Sequence, residues 1–224
     1  SNSSGKPLKM KALKTPGNAA IALGNGDFEV GKITVGRAAG LTARKGNFYG
    51  YLDAAELERG AVQLHAQDGS HTGQGQIGTV ERAFRMTMTS DASLALDAIA
   101  GHVEAPSGSV YLANATLQKA LTVDAQRGSV LMSAADKVLH SESGPISLHA
   151  EQDVGSAAIP IELDAPKFNA VSQMGNIWIH DRQPAQVDQL MALVGSAQVS
   201  VDGDGNPAST DLVIADAAVA QGFT

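Results

Sequence analysis

The chain has 224 residues, a formal net charge of -7, 43% hydrophobic residues and only 4% aromatics. That balance argues against a nucleic-acid partner, which needs a basic face and stacking rings. It also argues against a core anchored on large aromatics. No apolar run approaches the roughly 18 residues that span a membrane, so no membrane insertion is expected.

Val, Ile, Leu, Met and Ala must fill the interior, which suits a narrow, regularly stacked core. The 24 glycines and 8 prolines supply a turn at short, regular intervals, as in a sandwich, barrel or solenoid. Cysteine is absent, which suits an exported protein without disulfides and a cytosolic one equally. The N-terminus lacks the apolar segment of a signal peptide. Ser1-Asn2 reads as a tag remnant, and the chain as a segment of something longer.

Residues 1–16 are polar and basic, with Pro7, Pro16 and the four lysines Lys6, Lys9, Lys11 and Lys14, and no acid before Asp27. They read as a tail or lead-in, with the lysines solvated or on the edge of a first coil. Short strand-like runs follow from Gly17, at 20–23, 28–30, 33–35, 41–43 and 48–52, each bounded by turn residues. Residues 53–59 (DAAELER) fit a marginal helix, or a strand with Leu52, Ala54 and Leu57 inward.

From Gly60 a phrase repeats: Gly, any residue, Val or Ile, any residue, then Leu, Met or Ile. It starts at Gly60, Gly108, Gly128, Gly144 and Gly175, with spacings of 48, 20, 16 and 31. These fit one or two coils each, with insertions falling in loops. Two longer stretches also match. Gly60-Ala61-Val62-Gln63-Leu64-His65-Ala66-Gln67 parallels Gly144-Pro145-Ile146-Ser147-Leu148-His149-Ala150-Glu151. Further on, Gln76-Ile77-Gly78-Thr79 parallels Asp153-Val154-Gly155-Ser156. A duplication of a few coils is the simplest account.

A strand that hides one face cannot offset an ordering entropy of about 1–2 kcal/mol per residue. Stacked on the next coil, it gains a ladder at about 4.8 Å and a column of aliphatic contacts. The expected fold is therefore all-β, a right-handed parallel β-helix (solenoid), with irregular or short helical segments near the termini. Residues 184–194 read as a short helix beginning near Pro184 or as another strand. Residues 202–207 are a turn cluster. The domain division is 1–16 lead-in, 17–202 β-helical repeat and 203–224 terminal coil or cap.

Gly-Asn-Ile-Trp-Ile-His (175–180), Gly-Ser-Val-Tyr-Leu (108–112) and Asp-Val-Gly-Ser-Ala-Ala-Ile-Pro-Ile-Glu-Leu-Asp-Ala (153–165) resemble repeats of the large filamentous-haemagglutinin-like adhesins of Gram-negative bacteria. The resemblance covers about 60–181, and 17–59 and 195–220 more weakly. It implies an exported β-helical rod at the bacterial cell surface, used in attachment or biofilm formation. The secretion domain of that family is not evident here, which favours a shaft segment.

The best ligand-like spacing is Asp202-x-Asp204-x-Asn206, where alternate oxygens in a tight loop can converge on Ca²⁺. Half of a dockerin-type loop is visible to Asp211, but Ser200 and Ala208 depart from it. An EF-hand reading fails at Pro207 and Val213. No other cofactor is expected. His65 and His149 follow an inward Leu in matching phrases and should face outward; His71, His102, His140 and His180 are scattered. Outward acids (Glu104, Asp124, Glu142, Glu162, Asp164) are the only material for polysaccharide cleavage. No G-x-S-x-G elbow or P-loop exists. Tyr111 and Trp178 hold the same middle position of their phrases and should point outward, where they can stack on sugars; Phe48, Tyr49 and Tyr51 form a second aromatic cluster.

The expectation is a non-enzymatic structural or adhesive segment of a large exported surface protein. Its partners would be a host-cell, glycan or matrix surface and neighbouring segments of the same long chain. The alternatives are a carbohydrate-binding module on the same scaffold and, less favoured, a polysaccharide-active β-helix enzyme.

Overall fold

The computed structural model describes residues 6–66, 75–202 and 212–223. Almost every element is a strand, and the strands stack in parallel as a β-solenoid of about nine turns. At about 4.8 Å per turn the stack is roughly 43 Å long.

Three rows of inward side chains run along the axis. The first passes through Leu8, Phe28, Phe48, Ile77, Gly101, Leu121, Ile146, Phe168, Val187 and Ile214. The second passes through Ile21, Leu41, Leu64, Leu96, Ala115, Leu139, Leu163, Asp181 and Val201. The third begins later, through Val110, Val130, Val154, Ile177 and Ala197, with the exposed Phe223 beyond it. The rows follow from period 2: along Ile146–Ala150, for example, Ile146, Leu148 and Ala150 are buried while Ser147 and His149 face out. The largest side chains pack within the first row, where the Phe28 and Phe48 rings lie 5.3 Å apart.

Polar side chains tie coil to coil at the corner that follows each Gly. The Ser129 amide donates to Ser109 Oγ (3.0 Å), Asp153 to Ser129 Oγ (3.2 Å), Asn176 to Asp153 Oδ1 (2.8 Å) and Ser196 to Asn176 Oδ1 (2.9 Å). A second such ladder runs from Gln76 to Asn47 Oδ1 and from Asn47 to Asp27 Oδ1. Each bond satisfies a corner N–H that no strand partner can reach.

Several expectations change. The stretch read as a lead-in contains a strand, Leu8–Thr15, paired with residues 28–35 as part of the first coil. Its Lys9 lies 3.2 Å from Glu29. Residues 53–59 are not a helix. A single 3₁₀ turn at Tyr51–Asp53 leads into the strand Ala55–Ala66, with Ala55 and Leu57 inward and Leu52 in solvent. Residues 184–194 resolve to the strand Ala185–Ala192. In both places the open edge of a neighbouring coil overrides weak local helix propensity. The end of the chain forms a further coil, with Leu212–Ile214 and Ala217–Val219 paired to Ala185–Ala192.

The matching phrases also mean something other than a duplicated unit. Gly60-Ala61-Val62-Gln63-Leu64 lies on the second row, whereas Gly144-Pro145-Ile146-Ser147-Leu148 lies on the first. Both walls need a corner followed by alternating side chains, so both select the same phrase. The second match is a shared loop. After Ile77 and after Val154 the chain leaves the wall and returns at Phe84 and Ile161. Gly78 and Gly155 have φ of +68° and +75°. The Thr79 amide donates to the Arg82 carbonyl as the Ser156 amide does to Ile159. A Cβ on either glycine would overlap the next coil's carbonyl, that of His102 or of Trp178.

Candidate functional site

The outer surface carries most of the charge and the rings of Tyr111, Trp178 and Tyr51. Tyr111 is half-buried on the outside of the third row, next to Leu131 of the following coil. It borders a groove of about 490 Å³ with Ser90, Asp91, Ser93, Met132 and Ser133. Hydroxyls and a carboxylate around one ring form a lining suited to a polyol.

Trp178 lies in the same row, three coils on, since Val110, Val130, Val154 and Ile177 are successive partners. At coil spacing the two rings are roughly 14 Å apart. They do not form one strip, because the loop 155–160 leaves the wall in the coil between Leu131 and Trp178. Trp178 is half-buried.

The second aromatic cluster is divided by burial. Phe48 is in the core, and Tyr49 is only 7% exposed. The loop 78–83 folds back so that Arg82 Cζ sits 4.2 Å over the Tyr49 ring centroid. Asn47 Nδ2 donates to the Tyr49 hydroxyl at 3.2 Å. Burial pushes the phenol's pKa up, opposed by the Asn47 hydrogen bond. Tyr49 is therefore a packing residue covered by a cation, not an open sugar platform. Arg82 also reaches Glu29 at 3.5 Å. Tyr51 is half-buried on a second groove, of about 380 Å³, beside Lys11, Lys32, Leu52 and Glu56. Leu52 is 76% exposed and held at φ +48°, the one non-glycine residue in the left-handed region among the described residues.

His65, His140 and His180 are paired with acids across coils, and His102 with an acid on its own strand. His65 Nδ1 is 2.5 Å from Asp97 Oδ2, and His140 Nδ1 is 2.8 Å from Asp164 Oδ2. His102 and His180 approach Glu104 and Asp202, each at 3.5 Å. His65 and His149 are not equivalent: His149 stands between Asp124 and Val171 on the other wall. His71 lies outside the described residues.

The acids considered for sugar cleavage are likewise engaged. Arg85 Nε donates to Glu104 at 2.9 Å, Arg182 Nε to Glu162 at 3.2 Å, and Gln183 Nε2 to Asp164 at 2.9 Å. Glu104 and Arg85 also line a small cleft of about 180 Å³ with Gly50, Val80, Glu81 and Arg82. Asp124 stands beside Glu104 as its register partner on the next strand, and Glu142 follows the strand Leu139–Ser141.

Of the calcium candidates, Asp202 is exposed and turned toward His180, while Asp204 and Asn206 lie outside the described residues. No group of three or more His, Cys, Asp or Glu side chains fit for a metal occurs among the described residues.

Register supplied what sequence reasoning missed. Lys32 pairs with Glu58, and with Glu56 at 3.4 Å. Lys167 pairs with Asp188 at 2.5 Å. The Lys32 hydrogen bond holds Glu58 below the usual carboxylate range, and Glu58 in turn raises Lys32. These partners are 21 to 26 residues apart, one coil, a spacing with no meaning until the coil length is known.

The class these features define is a parallel β-solenoid whose outer walls are laced by cross-coil ion pairs. No known family model, curated protein or solved structure matches the chain.

Proposed function

We propose that this chain is a stiff, non-enzymatic spacer in a large exported surface protein of the adhesin type, and that it supports attachment or biofilm formation. The observation that carries the reading is the continuity of the first inward row, from Leu8 to Ile214, through every coil. A rod whose coils stack in register along a largely apolar interior transmits load along its axis and keeps what it carries at a fixed distance. Surface display, a Gram-negative host, and host-cell, glycan or matrix partners rest on the adhesin-like phrases at 108–112, 153–165 and 175–180. In this reading neighbouring segments of the same long chain are the nearest partners, and no cofactor is required.

Deletion of whole coils from the parent protein tests it. Cells should keep the protein at their surface but attach less as the rod shortens. Unchanged attachment after removal of residues 100–164 would overturn the reading.

A second reading is favoured by the groove at Tyr111: a carbohydrate-binding patch on the same scaffold, with the ring as platform and Asp91, Ser93 and Ser133 as hydrogen-bonding partners. A screen of immobilised glycans separates the two, since the spacer reading requires none to be retained. Release of reducing ends from acidic polysaccharides would instead support an enzyme.

A further inference from the structure

The buried polar residues at the inner corners are of two kinds. Ser141 and Ser172 are enclosed, and each hydroxyl both donates and accepts. Ser141 Oγ donates to the Lys119 carbonyl at 2.5 Å and accepts the Gly144 N–H at 3.2 Å. Ser172 Oγ donates to the Gln152 carbonyl at 2.5 Å and accepts the Gly175 N–H at 3.0 Å.

Asp181 ends the strand Ile177–Asp181, in register with Leu163 and Leu139, and is 0% exposed. In the second inward row its neighbours are Leu163 and Val201. Oδ1 accepts the Gln183 and Ala165 N–H groups at 3.3 and 3.4 Å, both long. Oδ2 is buried with no hydrogen-bond partner. A carboxylate in this position accepts but cannot donate, and a buried charge without a counter-charge is costly.

Of the ionisable groups around it, His180 favours the ionised form, but burial outweighs it. Glu162 and Asp164 stand on the preceding strand, His180 and Arg182 flank it in sequence, and Asp202 follows the next strand. Arg182 is engaged by Glu162, and His180 is near Asp202. Burial pushes the Asp181 carboxyl up to about 6; the Gln183 and Ala165 amides oppose the rise and Asp164 adds to it.

We propose that Asp181 is a proton-operated latch on the last coils: protonated, it removes an uncompensated buried charge and holds the strand Ser196–Val201 on the strand Ile177–Asp181; ionised, it loosens that pairing. Only a proton exchanged with solvent is involved. Because the folded form binds this proton more tightly than the unfolded form, the stabilisation is gained as pH falls from about 6 toward the ordinary aspartate range near 3.9, and is lost as pH rises through about 6.

The test is hydrogen exchange of the full chain at about pH 5 and about pH 7.5, corrected for intrinsic rates, with peptides from 177–223 compared to peptides from 28–66. In the wild type, protection of the C-terminal peptides should fall by up to roughly tenfold at the higher pH, and the N-terminal peptides should change much less. D181N, which keeps the shape and adds a permanent donor, should hold the same high protection at both. D181L removes the charge and the acceptor, and should also be pH-independent. Wild-type protection independent of pH, or an equal fall in D181N, would overturn the latch. Unfolding of one variant leaves the other to decide.

Discussion

Gly195 lies directly over Gly175 of the preceding coil, so close that a Cβ on Gly195 would overlap the Gly175 carbonyl. Gly128 has the same relation to Gly108 and Gly46 to Gly26. At Gly195, Gly128 and Gly46 a side chain would run into the backbone of the preceding coil. Gly24 has open space around its Cβ direction. Gly195→Ala should therefore destabilise the chain by about 1–3 kcal/mol, because backbone must move apart through the ladder. Gly24→Ala should stay within about 0.5 kcal/mol of the wild type. For a chain of this size that difference is a fall in Tm of roughly 2–4 °C per kcal/mol, readable by circular dichroism. Equal melting of both variants would show that the corner is not close-packed.

The corner hydrogen bonds make a separate contribution. Ser129 is 6% exposed, and its hydroxyl accepts the Asp153 N–H while its own amide donates to Ser109. Ser129→Ala leaves the Asp153 amide without its partner but keeps the bond to Ser109. The expected cost is about 1–2 kcal/mol, seen as a lower urea midpoint with an unchanged slope. A midpoint equal to that of the wild type would mean that water reaches the corner and replaces the hydroxyl.

These two corners show what the sequence carried and what it did not. The repeated Gly phrase and the alternation after it, as in Ile146 to Ala150, reveal stacked short strands because both are local. Wall assignment is not local. Gly60 and Gly144 open near-identical phrases yet lie on different rows, and only the pairing of Leu64 with Leu41 and of Ile146 with Leu121 separates them. The outward direction of Tyr111 followed from period 2. The burial of Tyr49 did not, because Arg82 covers it from a loop 33 residues later. Asp181 continues the inward alternation of Ile177 and Ile179, but its enclosure between Leu163 and Val201 is visible only in the register.

The two candidate rings should behave differently if the groove binds sugar. Tyr111 borders the groove with Ser93 and Ser133, whereas Trp178 lies beyond the loop 155–160. Tyr111→Ala should abolish retention on whichever glycan the wild type binds, a loss of about 1–3 kcal/mol for one stacking ring. Trp178→Ala should leave retention within twofold. Isothermal titration with the selected oligosaccharide checks both. Loss with Trp178→Ala alone would move the site to the C-terminal side of the loop.

The Lys32–Glu58 pair offers a pH and salt signature distinct from that of Asp181. Lys32 reaches from one coil to both Glu56 and Glu58 of the next, and Thr34 Oγ1 donates to Glu58 at 2.9 Å. Lys32 and Thr34 together depress the Glu58 pKa. A carboxyl whose folded pKa is depressed stabilises the fold above its unfolded value, near 4.3, and loses that stabilisation as pH falls through the folded value. This is the reverse of Asp181, whose pKa is raised. Both partners are in solvent, so the attraction is also screened by salt. Lys32→Ala should therefore lower Tm at neutral pH in dilute buffer. The difference from wild type should shrink in about 1 M salt, where the screening length is about 3 Å, and should shrink as pH falls below the ordinary glutamate value near 4.3 and through the depressed folded value. Glu58→Gln should reproduce the neutral-pH loss, and the double variant should lose less than the two single losses combined. Additive losses, or a Lys32→Ala effect indifferent to salt, would show that the lysine acts through the packing of its alkyl chain instead of its charge.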